Sequence, residues 1–371
     1  MENELITLAI HREAKTRILK EFLESNAIKV YLEEMKSSYS DDHAKHYYIK
    51  VESKEINRAL SLIEEQNPLG YSTPNLHQAN DELKRILVAV DFSDYSKKAC
   101  QIAFDIASEI KAKVKILHVY QNIYFPSHIP FADSLKETPD EGLLNKTRKK
   151  MLKLCVEIDE YISNGEWPSV NYSYSLREGQ VEEEVENFVS EYKPSLLVLG
   201  TKGLDNSPSI LGNVTADIIE IIDVPVLAIP ANSPINSIAD VKHIVFLSNL
   251  QNREMPSFNR ILEIFKPYPH IKITLLHINR INRKGDKWTD EELAKISQSF
   301  EEMYPQLNIN YKLIDAPDMT QALLDFIEQE NVSLISLNTR RRNLFSRIFY
   351  PSKSRKLLTF SEKALLVFRG Q

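Results

Sequence analysis

The chain has 371 residues, 43% of them apolar and 26% charged, the balance of a globular protein with a sizeable core and room for two or three domains. Its formal net charge of −6 excludes a global electrostatic attraction to nucleic acid or to an anionic membrane, so any basic partner site has to be a local patch. No stretch reaches the run of about eighteen apolar residues that a membrane span needs, and acids and bases crowd the only apolar run near Met1, which does not read as a signal peptide. Cys100 and Cys155 lie in apolar, helical contexts without metal or redox spacing and read as reduced core thiols. The expected compartment is the cytoplasm.

In chain order, ELITLAI (4–10) reads as a strand, REAKTRILKEFLES (12–25) as a helix, IKVYLEEM (28–35) and HYYIKV (46–51) as strands, and SKEINRALSLIEEQ (53–66) as a helix. This predicts a small βαββα domain over 1–68 of the split-βαβ kind. Its carboxylates Glu2, Glu4 and Glu13 show no metal spacing. NPLGYSTPNLHQAND (67–81) is a linker by composition. KRILVAV (84–90) then begins an alternation of strands and helices. A helix follows over 91–110, with Asp91, Ser93 or Ser96 to cap it. VKILHVY (114–120) is a strand, followed by a loop with Pro126, Pro130 and Pro139 and a helix near 141–163. VNYSYSL (170–176), a helix near 180–192, SLLVLG (195–200), a helix near 212–222 and VPVLAIP (224–230) complete a domain over 84–231. The acidic run EEEVENFVSEYK (182–193) keeps Val185, Phe188, Val189 and Tyr192 at helical spacing and is an amphipathic helix. Such β-α repetition implies an open parallel sheet with right-handed crossovers.

After a second linker, PANSPINSIAD (230–240), the pattern repeats over 240–371. HIVFLSN (243–249) matches RILVAVD (85–91), IKITLLHIN (271–279) matches VKILHVY, and INYKLID (309–315) matches VNYSYSL. SLISLNT (333–339) matches SLLVLGT (195–201), and ALLVFR (364–369) matches VLAIPA. The offset that takes Gly200 to Asn338 also takes Thr201 to Thr339, which an internal duplication explains. The fold class expected is therefore α/β, two tandem Rossmann-like parallel-sheet domains behind a small βαββα domain. The last strands of the two halves carry apolar edges that should pair within the chain as a pseudo-dimer; a homodimer of whole chains stays open beside it.

Chemistry concentrates at one place. Of only nine glycines, three are Gly200, Gly203 and Gly212. A strand, a glycine-bearing loop and a helix opened by Gly212 and Asn213 would offer free N–H groups and a helix dipole to a phosphate. Ligands of open α/β sheets sit at the carboxyl ends of the strands, where Asp91 also ends the first strand of the domain. The same glycines can equally serve a tight strand–helix connection, and Asp91 can equally be a helix cap. His118 and His277, within strands on apolar faces, read as satisfied core histidines.

ILVAVDFSDYSKKA, LHV, LREG and GTKG…LGNVTADIIEIIDVPVLAI together resemble the universal stress protein family over 84–230. Its ATP-binding members carry G-x2-G-x9-G followed by Ser or Thr. Here the spacing is Gly200-x2-Gly203-x8-Gly212, and Asn213 replaces the hydroxyl residue. The resemblance implies ATP or another adenine nucleotide, with Ala89, Asp91 and Val119 around base and ribose. Gly200, Gly203, Gly212, Asn213 and Val214 would lie around the phosphates. The shorter loop and the asparagine bear on the triphosphate end more than on the adenine end.

The second half lacks the signature: Asn249 stands at the place of Asp91, and Asn338, Arg341, Tyr350 and Pro351 stand at those of Gly200, Gly203, Gly212 and Asn213. Bulk and a missing N–H would exclude a phosphate there. In its place runs TRRRNLFSRIFYPSKSRK (339–356), with Arg340, Arg341, Arg342, Arg347, Lys353, Arg355 and Lys356 interleaved with aromatics. That patch reads either as a contact for a polyanion or an acidic protein partner, or as a solvated face. No Walker loop, nucleophile elbow or Cys/His/Asp metal cluster is present, and no general base is identifiable, so no enzyme is expected beyond slow, incidental ATP hydrolysis. Two functions remain: a stress-linked regulatory protein binding an adenine nucleotide in its first repeat, or a nucleotide-independent scaffold holding a partner through 339–356.

Overall fold

A computed structural model of the chain describes residues 5–34, 46–55, 58–59, 62–63, 84–121, 139–201, 213–248, 255–281, 288–338 and 362–368. The chain divides into two compact units, one of residues 1–82 and 115–184, the other of residues 83–114 and 185–371.

In the first unit, β1 (Leu5–Arg12) runs into α1 (Glu13–Ser25), followed by β2 (Tyr31–Glu34) and β3 (His46–Glu52). The strands lie in the order β1-β3-β2, with β3 antiparallel to both neighbours. This is the split βαβ arrangement that the sequence implies. Strand β2 starts later than its apolar pattern, because 26–28 are used to end α1: Ala27 is left-handed (φ 59) and the Ile28 N–H bonds back to the Leu23 carbonyl at 2.9 Å. A 3-10 turn (Ser53–Glu55) begins the segment expected as helix. The same unit holds most of β5 (Lys113–Tyr120), together with α3 (Pro139–Ser163), which lies against β1, and β6 (Tyr172–Glu178). The Gly179 N–H donates to the Tyr120 carbonyl, bringing the ends of β5 and β6 side by side.

The second unit contains β4 (Arg85–Ala89), α2 (Asp94–Ile110), α4 (Val181–Tyr192), β7 (Leu196–Thr201), α5 (Asn213–Ile221) and β8 (Val226–Pro230). It continues with β9 (His243–Leu247), α6 (Met255–Phe265), β10 (Lys272–Arg280), α7 (Asp290–Met303), β11 (Asn308–Ala316), α8 (Met319–Gln329), β12 (Leu334–Asn338) and β13 (Ala364–Phe368). Eight of its strands follow one another as β11-β10-β9-β12-β13-β8-β7-β4. Pairing is parallel from β11 to β13 and from β8 to β4, and antiparallel at the junction, where Leu365 faces Ala228 and Val367 faces Val226. The edge pairing expected of 224–230 with 364–369 is therefore present. Both strands are buried along their whole length, as sheet centres with two covered faces must be.

Helix α2 turns Ala99, Cys100, Ile102, Ala103, Phe104, Ile106 and Ala107 inward and lies over β4, β7 and β8. Both cysteine thiols are buried, and burial pushes that of Cys100 up to about 12. The segment after β8 reads as a linker by composition, yet it is fastened to α2. The Ser237 hydroxyl and the Ile238 N–H donate to the Asp105 carboxylate, and the Lys98 ammonium donates to the Ser233 carbonyl. Burial raises the pKa of Asp105, partly offset by these two bonds, and the nearby Asp240 and Glu109 add to the rise. No helix among the described residues is long and apolar enough to cross a membrane.

Candidate functional site

Strands β4 and β7 pair in parallel with Ala89 opposite Leu199, so the chain leaves both strands at one edge. Beyond Ala89 the buried Val90 leads to the exposed Asp91. Phe92 then adopts a left-handed conformation (φ 66), which an aromatic residue rarely does, and the turn delivers Ser93 to the start of α2. Among the three candidate caps it is Ser93 that caps α2, accepting from the Ser96 N–H. Asp91 instead ties the turn together. Its Oδ1 accepts from the Ser93 N–H at 3.0 Å and from the Ser93 hydroxyl, and its Oδ2 accepts from the Tyr95 hydroxyl at 2.7 Å. Burial works to raise the Asp91 pKa, but the bonds from Ser93 and Tyr95, helped by Ser96, outweigh it and hold the carboxyl below its ordinary value. An ionised carboxylate thus stands fixed at the carboxyl end of β4.

Gly200 lies inside β7, level with Ile229 of β8. A Cβ there would sit 2.3 Å from the Tyr95 carbonyl oxygen and 2.8 Å from the Ser96 nitrogen. The first turn of α2 therefore comes closer to the strand than any side chain permits, and glycine is required for that contact alone. The next residue, Thr201, is 1% exposed, and its Oγ1 has no hydrogen-bond partner among the described residues. Gly203 and Gly212 lie outside the described residues. Asn213 opens α5, and Val214 in its first turn is 44% exposed. Val119 and His118 are half-buried on β5, in the first unit. The structure thus brings Ala89, Asp91 and Gly200 to one edge. It adds Ser93 and Tyr95, which the sequence reading had not named as site residues. Their signal was the spacing Asp91, Ser93, Tyr95, in which a carboxylate is followed by donors at the second and fourth positions.

The edge at the ends of β9 and β12, which the sequence matches to that of β4 and β7, is built differently. Leu247 and Leu337 are paired in β9 and β12, so Ser248 and Asn338 leave together. The Asn338 amide nitrogen donates to the Ser257 hydroxyl in the first turn of α6 at 3.1 Å. His277 is buried, its Nδ1 donating to the Ser248 carbonyl at 2.8 Å with Trp288 edge-on to the ring, as befits a satisfied core histidine. Asn279 accepts from the Trp288 N–H and donates to the Trp288 carbonyl. Asn249, Arg341, Tyr350, Pro351 and every basic residue of the 339–356 patch lie outside the described residues. Among the described residues no cluster of three His, Cys, Asp or Glu side chains is suited to a metal ion.

Residues 82–230 match the sequence profile of the universal stress protein family. The curated universal stress protein YxiE of Bacillus subtilis is 29% identical over 160 residues, which cover 39% of this chain and 97% of that protein. A universal stress protein A homolog of Haemophilus ducreyi is 25% identical over 142 residues, covering 37% of this chain and 94% of its own length. The crystal structure of a universal stress protein from Archaeoglobus fulgidus is alike in fold, with a TM-score of 0.55 at 14% identity, over 78% of this chain and 99% of that one. The likeness of fold therefore extends well beyond the segment that the profile matches. Residues 82–230 are thus similar to the universal stress protein family and lie within a larger α/β protein.

Proposed function

We propose that this is a stress-response regulatory protein of the cytoplasm that binds one adenine nucleotide per chain at the edge formed by Ala89, Asp91 and Gly200, with Gly203, Gly212 and Val214 toward the phosphates. The observation that carries the reading is Asp91: exposed at the carboxyl end of a parallel strand, ionised, and held in one orientation by three donors. Such a fixed acceptor costs little to present to an amine or a ribose hydroxyl, because its rotamer is already set. In this reading the protein senses or carries the nucleotide and does no chemistry on it. Isothermal titration of the full chain with ATP tests it. One site per chain is expected, with binding lost or weakened at least tenfold in Asp91→Asn, where an amide replaces the ionised acceptor. Two sites per chain, or an unchanged affinity in the variant, would overturn the assignment.

A second reading is favoured by the Gly200 contact, which accounts for that glycine without any ligand. Here the protein is a nucleotide-independent scaffold that holds an acidic protein or polyanion through Arg340, Arg341, Arg342 and the basic residues after them. Absence of bound nucleotide in the purified and titrated protein, together with salt-sensitive partner binding lost on replacing those three arginines by Ala, would put this reading first.

A further inference from the structure

The segment from Asp91 to Ser96 uses up its own side-chain protons. The hydroxyls of Ser93 and Tyr95 donate to Asp91, and that of Ser96 donates to the Ser93 carbonyl. The Ser93 N–H also goes to Asp91, and the Ser96 N–H goes to the Ser93 hydroxyl. An ionised carboxylate has about four acceptor positions. Three donors reach Asp91, two on Oδ1 and one on Oδ2, with Ser96 also helping to hold the charge, so the accepting capacity that remains lies chiefly on Oδ2, beside the Tyr95 hydroxyl. A group that meets Oδ2 has to bring a proton.

We infer that Tyr95 is a positioning and specificity-determining residue of the site: by filling one side of Oδ2 it narrows what Asp91 can still accept, which selects a ligand bearing a hydrogen-bond donor at that point, an exocyclic amine or a sugar hydroxyl. This rests on the nucleotide reading above. Tyr95 acts through Asp91. Its hydroxyl is itself held by the carboxylate, and burial followed by that bond raises the Tyr95 pKa, so it stays a protonated donor at neutral pH. A ligand without the donor leaves a desolvated lone pair on a charged group, the costly case in hydrogen-bond exchange. Without Tyr95 the carboxylate is freer to turn and meets water on two sides, so the penalty for a missing donor shrinks.

The test is a titration of the full chain, native and Tyr95→Phe, with ATP, with ITP (a 6-oxo purine without the amine) and with 2′-deoxyATP. In the native protein one of the two analogues should bind about tenfold more weakly than ATP, and which one does so identifies the donor as amine or hydroxyl. In Tyr95→Phe the ATP affinity should fall several-fold, the analogue penalty should shrink to about threefold or less, and the acid limb of binding should move to higher pH. That last shift follows because Asp91 loses a donor to its ionised form; a merely structural tyrosine would leave it in place. Unchanged selectivity together with an unchanged acid limb would overturn the proposal. If the native chain binds none of the three nucleotides, the nucleotide reading fails. The Tyr95–Asp91 relation is then decided by NMR titration of the labelled Asp91 carboxyl: an upward shift in Tyr95→Phe upholds it, and no shift overturns it.

Discussion

Two strand-to-helix edges, one after β7 and one after β12, solve the same packing problem in opposite ways. In the first, Gly200 has no side chain, and the opening turn of α2 moves in until a Cβ would stand 2.3 Å from a backbone oxygen. In the second, Asn338 stands at the equivalent place and spans to α6 with an amide, hydrogen-bonded to Ser257. One interface is closed by backbone contact, the other by a polar side chain. The lesson concerns the glycine: its presence at a family signature position does not by itself speak of a ligand, because close helix packing demands it already. What distinguishes the first edge is Asp91, braced and ionised, whereas the second half of the chain has an asparagine at the matching place in the sequence.

The sharpest way to break this comparison is Gly200→Ala. The added carbon would meet backbone atoms that no rotamer change can move, so α2 would have to shift bodily. A loss of more than about 3 kcal/mol is expected in urea unfolding of the full chain. A loss below about 1 kcal/mol would mean that the helix has slack, and the ligand explanation of the glycine would regain its weight.

A second contrast lies in two strands matched in sequence, which place Lys115 on β5 where Thr274 stands on β10. Both are 1% exposed. Thr274 is satisfied by His243 and Asn310. Burial lowers the Lys115 pKa from 10.5 to about 7. The folded state then binds fewer protons than the unfolded one, so the contribution of Lys115 is fully present above pH 10.5 and is lost as pH falls through about 7. Thermal unfolding followed from pH 7 to 10 should show stability climbing by about 2 kcal/mol more in the native chain than in Lys115→Met. Parallel pH curves for the two proteins would refute the assignment.

The smallest effect is expected of Asn338→Ala. It removes the hydrogen bond to the buried Ser257 and should cost about 1 kcal/mol. A cost equal to that of Gly200→Ala would erase the distinction between the two edges.

Much of this was legible in the chain itself. The alternating apolar runs and their repetition set the α/β class, the order of elements and the pairing of the two final strands, because a strand buried on both faces has to be apolar throughout. The split βαβ order of the first three strands followed from the connections, since parallel neighbours joined by one helix leave room for a strand between them. The acceptor Asp91 and the glycine run were equally visible as a resemblance. The sequence could not tell which of Asp91, Ser93 and Ser96 caps α2. That depends on the left-handed turn at Phe92, a conformation that local preference opposes and that the surrounding packing has to impose. Nor could it show that the segment after β8, irregular by composition, is tied to α2 through Asp105 and Lys98, residues more than a hundred positions away. Periodicity reports which face of an element is apolar; how closely two backbones approach, and which polar groups meet across a gap in the chain, is decided when the elements pack. That is why the role of Gly200 at α2 became visible only in the tertiary structure, although its identity was plain from the start.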